Sequence, residues 1–277
     1  MGVVTRTLVV VNGEQDWGDY LPGCTVHYRQ LQTSRWLYHQ GALWVFDRSG
    51  SVRVDAVLWR IGAIRPHPGH RAVLELIRLA GVPCVNPATV LLRGYDRLSM
   101  LNDLREAGLP VPEMTVALGD GMLDRFEPVL PCVVKVGNYH GGYGKARPRD
   151  AEQWADVRDL IFATEDYVTI EPYVEYARGI RCLAVGGRIW AMSRRGRFWK
   201  VNTATEHYEM IPMPGLLRDH TTRAMAHLRA DVLGLDFLET ADGAYILLES
   251  NDTPGLSGFP EEVRLAVAAL VRARLDA

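Results

Sequence analysis

An α/β fold, with α+β character in its C-terminal part, is predicted by three observations. Short apolar runs at 8–11 and 56–59 precede an amphipathic stretch at 70–79 in the first third of the chain. Beyond residue 180, apolar segments are joined by tight turns at Gly186-Gly187 and Asp242-Gly243, the signature of hairpins. The 277 residues, 48% hydrophobic and 23% charged, have the composition of a soluble globular protein of one large domain or two to three smaller ones.

The elements follow in order. Residues 8–11 and 56–59 read as strands, and 41–46 with 52–54 as a hairpin. A helix over 70–79 buries Leu74 and Ile77 and stops at Gly81, ahead of Pro83. His67 and His70, in a Pro/Gly loop, read as surface or packing residues. Asn86-Pro87 begins a connector, and a helix over 94–107 carries Leu98, Leu101 and Leu104 on one stripe before Gly108 and Pro110. Residues 131–136 form an apolar strand holding one lysine, Lys135. Asp150 and Gln153 resemble a capping box opening a helix to 163. Strands are expected at 168–170, 182–185 and 189–192, a helix over 217–233 stopped by Gly234, and a last helix from Pro260 to 275.

Composition excludes several classes. No run of about 18 apolar residues exists, so no membrane span is expected. The four cysteines are scattered without a C-x-x-C pair, which argues against zinc or a disulfide framework and suits a reducing cytoplasm. A net charge of -2 gives no support for a nucleic-acid partner. Of 31 basic residues only Lys135, Lys145 and Lys200 are lysines, and all lie in one stretch. Genome composition explains such a bias; a compact ammonium is also a good phosphate ligand.

The segment 235–249 reads as an antiparallel hairpin with the two-residue loop Asp242-Gly243. Ala241 then faces Ala244, and Asp236 falls opposite Glu249, with Cβ atoms roughly 5 Å apart. Asn251, two residues on, shares the face of Glu249. Two readings fit. Two carboxylates and an amide oxygen on one face suit a hard cation such as Mg2+, and a strand-end acidic cluster is equally neutralised by arginine.

Beyond Lys135 comes a loop with glycines at 137, 141, 142 and 144, ending at Lys145. Glycines let backbone N–H groups approach phosphate oxygens closely, although an ordinary glycine-rich turn looks the same. Neither the G-x-x-x-x-G-K-[ST] nor the G-x-G-x-x-G fingerprint is present.

Taken in order, Val134-Lys135, the glycine loop, Glu171-Pro172-Tyr173-Val174, Arg181, Arg194-Arg195, Asn202, Asp236, Glu249, Asn251 and Pro254-Gly255-Leu256 resemble the ATP-grasp fold. The likeness is nearest to the ribosomal-protein glutamate ligase (RimK) type and to the synapsins. It implies an N-terminal Rossmann-like α/β domain at 1–86 and an ATP-grasp domain at 87–277, with a lid subdomain at about 128–174.

The resemblance also implies roles. Lys135 meets the α-phosphate side of ATP, and Arg97 stands where the family usually has a lysine, also on phosphate. Gly141, Gly142 and Gly144, with Lys145, close over the β- and γ-phosphates. Glu171, Pro172, Tyr173 and Val174 form the hinge that holds adenine through backbone groups, Glu175 takes the ribose, and Asn202 completes the nucleotide set. Asp236, Glu249 and Asn251 carry Mg2+, while Arg181 and Arg195 face the transferred phosphoryl group. Ile180, where the family often has an acid, and Val201 and Thr203 depart from the pattern.

The implied activity is an ADP-forming carboxylate–amine ligase that makes an amide or peptide bond through an acylphosphate, using ATP and Mg2+. Its substrates would be a small carboxylate and an amine, an amino acid or peptide, and a homodimer is the default assembly. Two alternatives are a non-catalytic, synapsin-like ATP-binding module and a macrocyclising ligase acting on a peptide. The lack of a long docking insertion favours a small acceptor.

Overall fold

The computed structural model describes residues 5–62, 67–119, 121–162, 164, 166–196, 199–200 and 205–276. The first sheet is wholly parallel, in the order Cys24–Arg29, Arg6–Val11, Ala56–Trp59, Cys84–Val85. Alternation along its strands fixes its two faces. Val9, Val11, Val57 and Trp59 pack on the helix Pro68–Leu79 through Val73, Leu74 and Ile77. Leu8, Val10, Leu58 and Val85 pack on the C-terminal helix Glu261–Asp276. His67 is the N-cap of Pro68–Leu79: its Nδ1 accepts from the Gly69 N–H at 3.0 Å. The expected hairpin at 41–54 is one part of a three-stranded antiparallel sheet, Arg35–His39, Ala42–Asp47 and Gly50–Arg53.

A second sheet has the order Lys145–Ala146, Cys132–Val136, Val168–Pro172, Thr115–Ala117. The helix Ala151–Phe162 covers one face, packing Trp154 and Ile161 on Cys132, Val134, Val168 and Ile170. Its capping residues work as the sequence suggests: Asp150 Oδ1 accepts from Gln153 N at 2.8 Å, and Gln153 Oε1 accepts from Arg149 N at 3.0 Å. By alternation Lys135, Thr169 and Glu171 point to the opposite, uncovered face. We take this sheet with its helix, residues 115–172, as the lid; its strand Thr115–Ala117 lies ahead of residue 128.

The third sheet is antiparallel, in the order Thr205–Ile211, Arg188–Gly196, Arg178–Val185, Val232–Glu239, Tyr245–Asn251. Ile180, Cys182, Leu235, Phe237 and Leu247 face the helices Arg97–Glu106 and Gly215–Leu228. Leu183 and Val185 face Glu261–Asp276, so that helix is buried between the first and third sheets.

Three expectations change. The helix expected over 94–107 begins at Arg97, where Asp96 caps it through the Ser99 N–H at 3.0 Å, and the expected connector before it holds a separate helix, Ala88–Arg93. The helix expected to reach 233 ends at Leu228, where Arg229 turns left-handed at φ 56°; Val232, Leu233 and Gly234 enter the next strand. The hairpin loop is not the two-residue Asp242-Gly243. Thr240 N donates to the Ala244 carbonyl at 2.9 Å across a loop of 241–243, and Phe237 and Leu238 pair with Leu247 and Ile246. A bulge then restores the register, so Asp236 does lie opposite Glu249.

Asn86 joins the parts. Its Nδ2 donates to the carbonyls of Val232 (2.5 Å) and Asp252 (2.7 Å), and its Oδ1 accepts from the N–H groups of Asp231 and Val232, both at 2.7 Å. It is buried. Truncation would leave several backbone groups without partners, so Asn86→Ala should cost about 3 kcal/mol. A urea unfolding midpoint within error of wild type would contradict this.

Candidate active site between the lid and the antiparallel sheet

The uncovered lid face meets the third sheet across a cleft whose floor is polar at one end and apolar at the other. Lys135 and Lys145 are direct cross-strand partners, so both enter the cleft from the lid. Lys135 Nζ donates to both oxygens of Glu171 at 2.6 Å, with both side chains nearly inaccessible. Burial lowers the Lys135 pKa, with the repulsion of Lys145 and Arg97 adding to it and Glu171 opposing. From the sheet side, Glu249 lies 3.4 Å from Lys145 and 3.6 Å from Arg97. Burial would raise the Glu249 carboxyl, but Lys145, Arg97, Lys135 and His140 outweigh it and hold the group well below the usual range.

Arg97 is the first residue of its helix and is 1% exposed. Its backbone N–H donates to Asn138 Oδ1 at 2.9 Å and its Nη2 to the Tyr139 carbonyl at 3.0 Å, while Asn138 Nδ2 donates to the Tyr95 carbonyl at 2.5 Å. The base of the glycine loop is thereby fixed to the helix start. Arg97 Nε and Nη1 are buried without a hydrogen-bond partner among the described residues. Two orphaned guanidinium donors beside two ammonium groups fit a polyanion such as a triphosphate.

The glycine loop spans the polar end. At Gly144, φ is +63° and a Cβ would lie 3.1 Å from the Val136 carbonyl oxygen, so a side chain there would be strained in conformation and tightly packed. The Gly142 carbonyl accepts from Lys200 Nζ at 2.9 Å, and Gly141 lines the larger cavity.

Two cavities open on the cleft. The smaller, about 70 Å³, is bounded by Pro172, Tyr173 and Val174 and by the apolar Leu238, Ile246 and Leu248. Its apolar lining suits a heterocycle. Trp199 also walls it, a residue of the synapsin-like run Trp199-Lys200-Val201-Asn202-Thr203 to which the sequence assigned no role. Glu171 contributes its side chain to Lys135. Glu175 is exposed and lines neither cavity, so the structure does not bring the expected ribose ligand into the cleft. Asn202 lies outside the described residues.

The larger cavity, about 310 Å³, is lined by Glu249, Arg181 and Arg194 and by Trp59, Ile61 and Gly62 at the C-terminal end of the strand Ala56–Trp59. Arg181 holds Asp236 in a two-pronged pair, both bonds at 2.7 Å, and Arg194 Nη2 bonds the same carboxylate. Burial opposes ionisation of Asp236, but Arg181 and Arg194 prevail and lower its pKa. Arg195 is exposed, because strand alternation turns it away. The arginine beside Arg181 is therefore Arg194 and not Arg195.

The expected metal set is redistributed in the same way. Three of the roughly four lone-pair directions of the Asp236 carboxylate are taken by arginine, so Asp236 is an arginine acceptor as placed. Glu249 and Asn251 keep the capacity to hold a hard cation. Asn251 Oδ1 accepts from the Thr253 N–H at 2.9 Å, which leaves one lone pair. Asp252, next in the chain, has a carboxyl pushed up to about 7 by burial.

Comparison with known proteins bears on the family and the fold. The sequence matches the family described as Synapsin, ATP binding domain, over residues 108–274. A probable alpha-L-glutamate ligase of Serratia proteamaculans is 27% identical over 253 residues, 88% of this chain and 78% of the relative. A solved ATP-grasp ligase, PsnB, complexed with a phosphomimetic variant of its minimal precursor, Mg and ADP, superposes with a TM-score of 0.73. Its identity is 21%, over 99% of this chain and 100% of that one. D-alanyl-alanine synthetase A of Vibrio cholerae also gives 0.73, at 12% identity over 99% of both chains. The fold is therefore that of the ATP-grasp ligases. On the match across more than half its length, the chain belongs to the synapsin ATP-binding-domain family.

Proposed function

We propose that this protein is an ATP-dependent, ADP-forming carboxylate–amine ligase. The observation that carries the reading is the convergence of buried Arg97, Lys135 and Lys145 with Glu249 under the glycine loop, beside a cavity faced by Arg181 and Arg194. The base fits the smaller cavity against the hinge, and the phosphates lie along the three cations. Mg2+ held by Glu249 and Asn251 would neutralise phosphate charge.

In the reaction, a substrate carboxylate oxygen bonds to the γ-phosphorus and ADP leaves. The amine then bonds to the acyl carbon of the acylphosphate, phosphate leaves, and the amine surrenders a proton. The work of the chain is positioning and charge stabilisation. Arg181 and Arg194, fixed by Asp236, present fork donors to the carboxylate and the transferred group. The loop over the site keeps water from the acylphosphate. The four free thiols are consistent with a reducing, cytoplasmic setting.

The non-catalytic module accounts for the nucleotide cleft but gives no role to the Asp236–Arg181–Arg194 assembly or its cavity. Chain length does not decide between a small and a peptide acceptor. PsnB, a ligase solved with a precursor, and D-alanyl-alanine synthetase A are both matched almost end to end, so the lack of a long insertion does not favour a small acceptor.

The test is ADP release with ATP, Mg2+ and pools of amino acids and dipeptides. Wild type should show substrate-stimulated release, and Glu249→Ala should lower it by about 100-fold or more. ATP binding without stimulated release from any pool would leave the module as the better account.

A further inference from the structure

The larger cavity is lined by charges of both signs. Arg181 and Arg194 line it, and so does Asp252, together with Trp59, Ile61, Leu91, Tyr95 and His70. No described cation forms an ion pair with Asp252, while the other acids of the cleft, Glu171, Asp236 and Glu249, are all paired. Asp252 is also firmly placed. Its carbonyl accepts from Asn86 Nδ2 at 2.7 Å, the Pro254 carbonyl accepts from Arg60 Nη1 at 3.0 Å, and the Thr253 N–H is held by Asn251. Its carboxylate fits against Gly94 so closely that a Cβ there would lie 2.0 Å from Oδ2.

A paired carboxylate and an unpaired one attract different ligands. The arginines suit the carboxylate to be activated. Asp252 suits a cation, and the aromatic and aliphatic side chains lining the same cavity favour an apolar carrier for it, because a second carboxylate beside Asp252 would set like charges together. We propose that Asp252 is the recognition residue for the amine substrate, and that this substrate is a primary ammonium on an uncharged, hydrophobic framework rather than an acidic amino acid. The inference rests on the ligase reading and sharpens it. It also departs from the name of the relative, a glutamate ligase. Gly94 is required in this arrangement because any side chain there would displace the carboxylate.

The full chain, saturated with ADP and Mg2+, is titrated calorimetrically with L-leucinamide, L-phenylalaninamide and L-glutamate, and ADP release from ATP is followed with the same amines and a carboxylate pool. The two uncharged amines should bind at least tenfold more tightly than glutamate. Asp252→Asn should weaken them at least tenfold while ADP affinity stays within twofold. If that variant melts far below wild type, Tyr95→Ala replaces it and should weaken L-phenylalaninamide at least fivefold. Tighter binding of glutamate, or amide affinity unmoved by these variants, overturns the proposal. ADP release supported by glutamate and not by the hydrophobic amines sinks this inference alone. No release with any pair, with ADP still bound, sinks the ligase reading and this inference together.

Discussion

Lys135→Ala should weaken ATP binding by about 2 kcal/mol, roughly thirtyfold, because a charge-assisted contact to phosphate is lost. It should also destabilise the free protein, by about 3–5 kcal/mol, since Glu171 is left as a buried, unpaired carboxylate. The two effects separate with a second variant. Lys135→Met combined with Glu171→Leu replaces the buried pair by apolar groups of similar volume, which is often neutral for stability. That double variant should melt near wild type and still bind ATP as poorly as Lys135→Ala. Recovery of nucleotide affinity along with stability would mean that Lys135 serves the lid core alone.

The second large effect concerns two adjacent arginines. Arg194→Ala should reduce turnover by about 100-fold or more, as expected for loss of a charge aimed at the reacting group, while Arg181 still pairs with Asp236 and keeps the fold. Arg195→Ala should change turnover by less than about twofold and stability by no more than about 0.5 kcal/mol, because the residue is exposed. Equal losses at the two positions would mean that the strand register at the site is wrong.

That contrast was within reach of the sequence. The Gly186-Gly187 turn fixes the hairpin register, and counting back from it sets Met192 opposite Arg181. Residues 192 and 194 then share the face of Arg181, and Arg195 does not. The Asp236–Glu249 juxtaposition was also legible, through two compensating departures. The loop holds one more residue than the Asp-Gly turn suggests, and the bulge after Leu247 returns the register. The bulge has a use: Leu248 lines the smaller cavity while its neighbour Glu249 meets the cations.

Other features were not legible because they depend on contacts distant in sequence. The three-armed pairing of Asp236 needs two strands of the same sheet, so local spacing could not choose between arginine and metal. Asn86 reads locally as the start of a connector, and its hydrogen bonds reach 146 and 166 residues along the chain. Asp252 looks like one more polar residue before a turn until the parallel sheet and Gly94 close around it. Conversely, the early stop of the helix at Leu228 shows an apolar run, Val232 to Leu235, going to a central buried strand where helical periodicity could equally claim it.

The most direct measurement follows oxygen atoms through the reaction. With a carboxylate substrate labelled with oxygen-18 at both carboxyl oxygens, and an amine that supports ADP release, one labelled oxygen is expected in the phosphate released with each amide formed. That label reports attack of the carboxylate on the γ-phosphorus. Unlabelled phosphate, released alongside ADP, would show that water takes the phosphoryl group and would contradict the acylphosphate ligase.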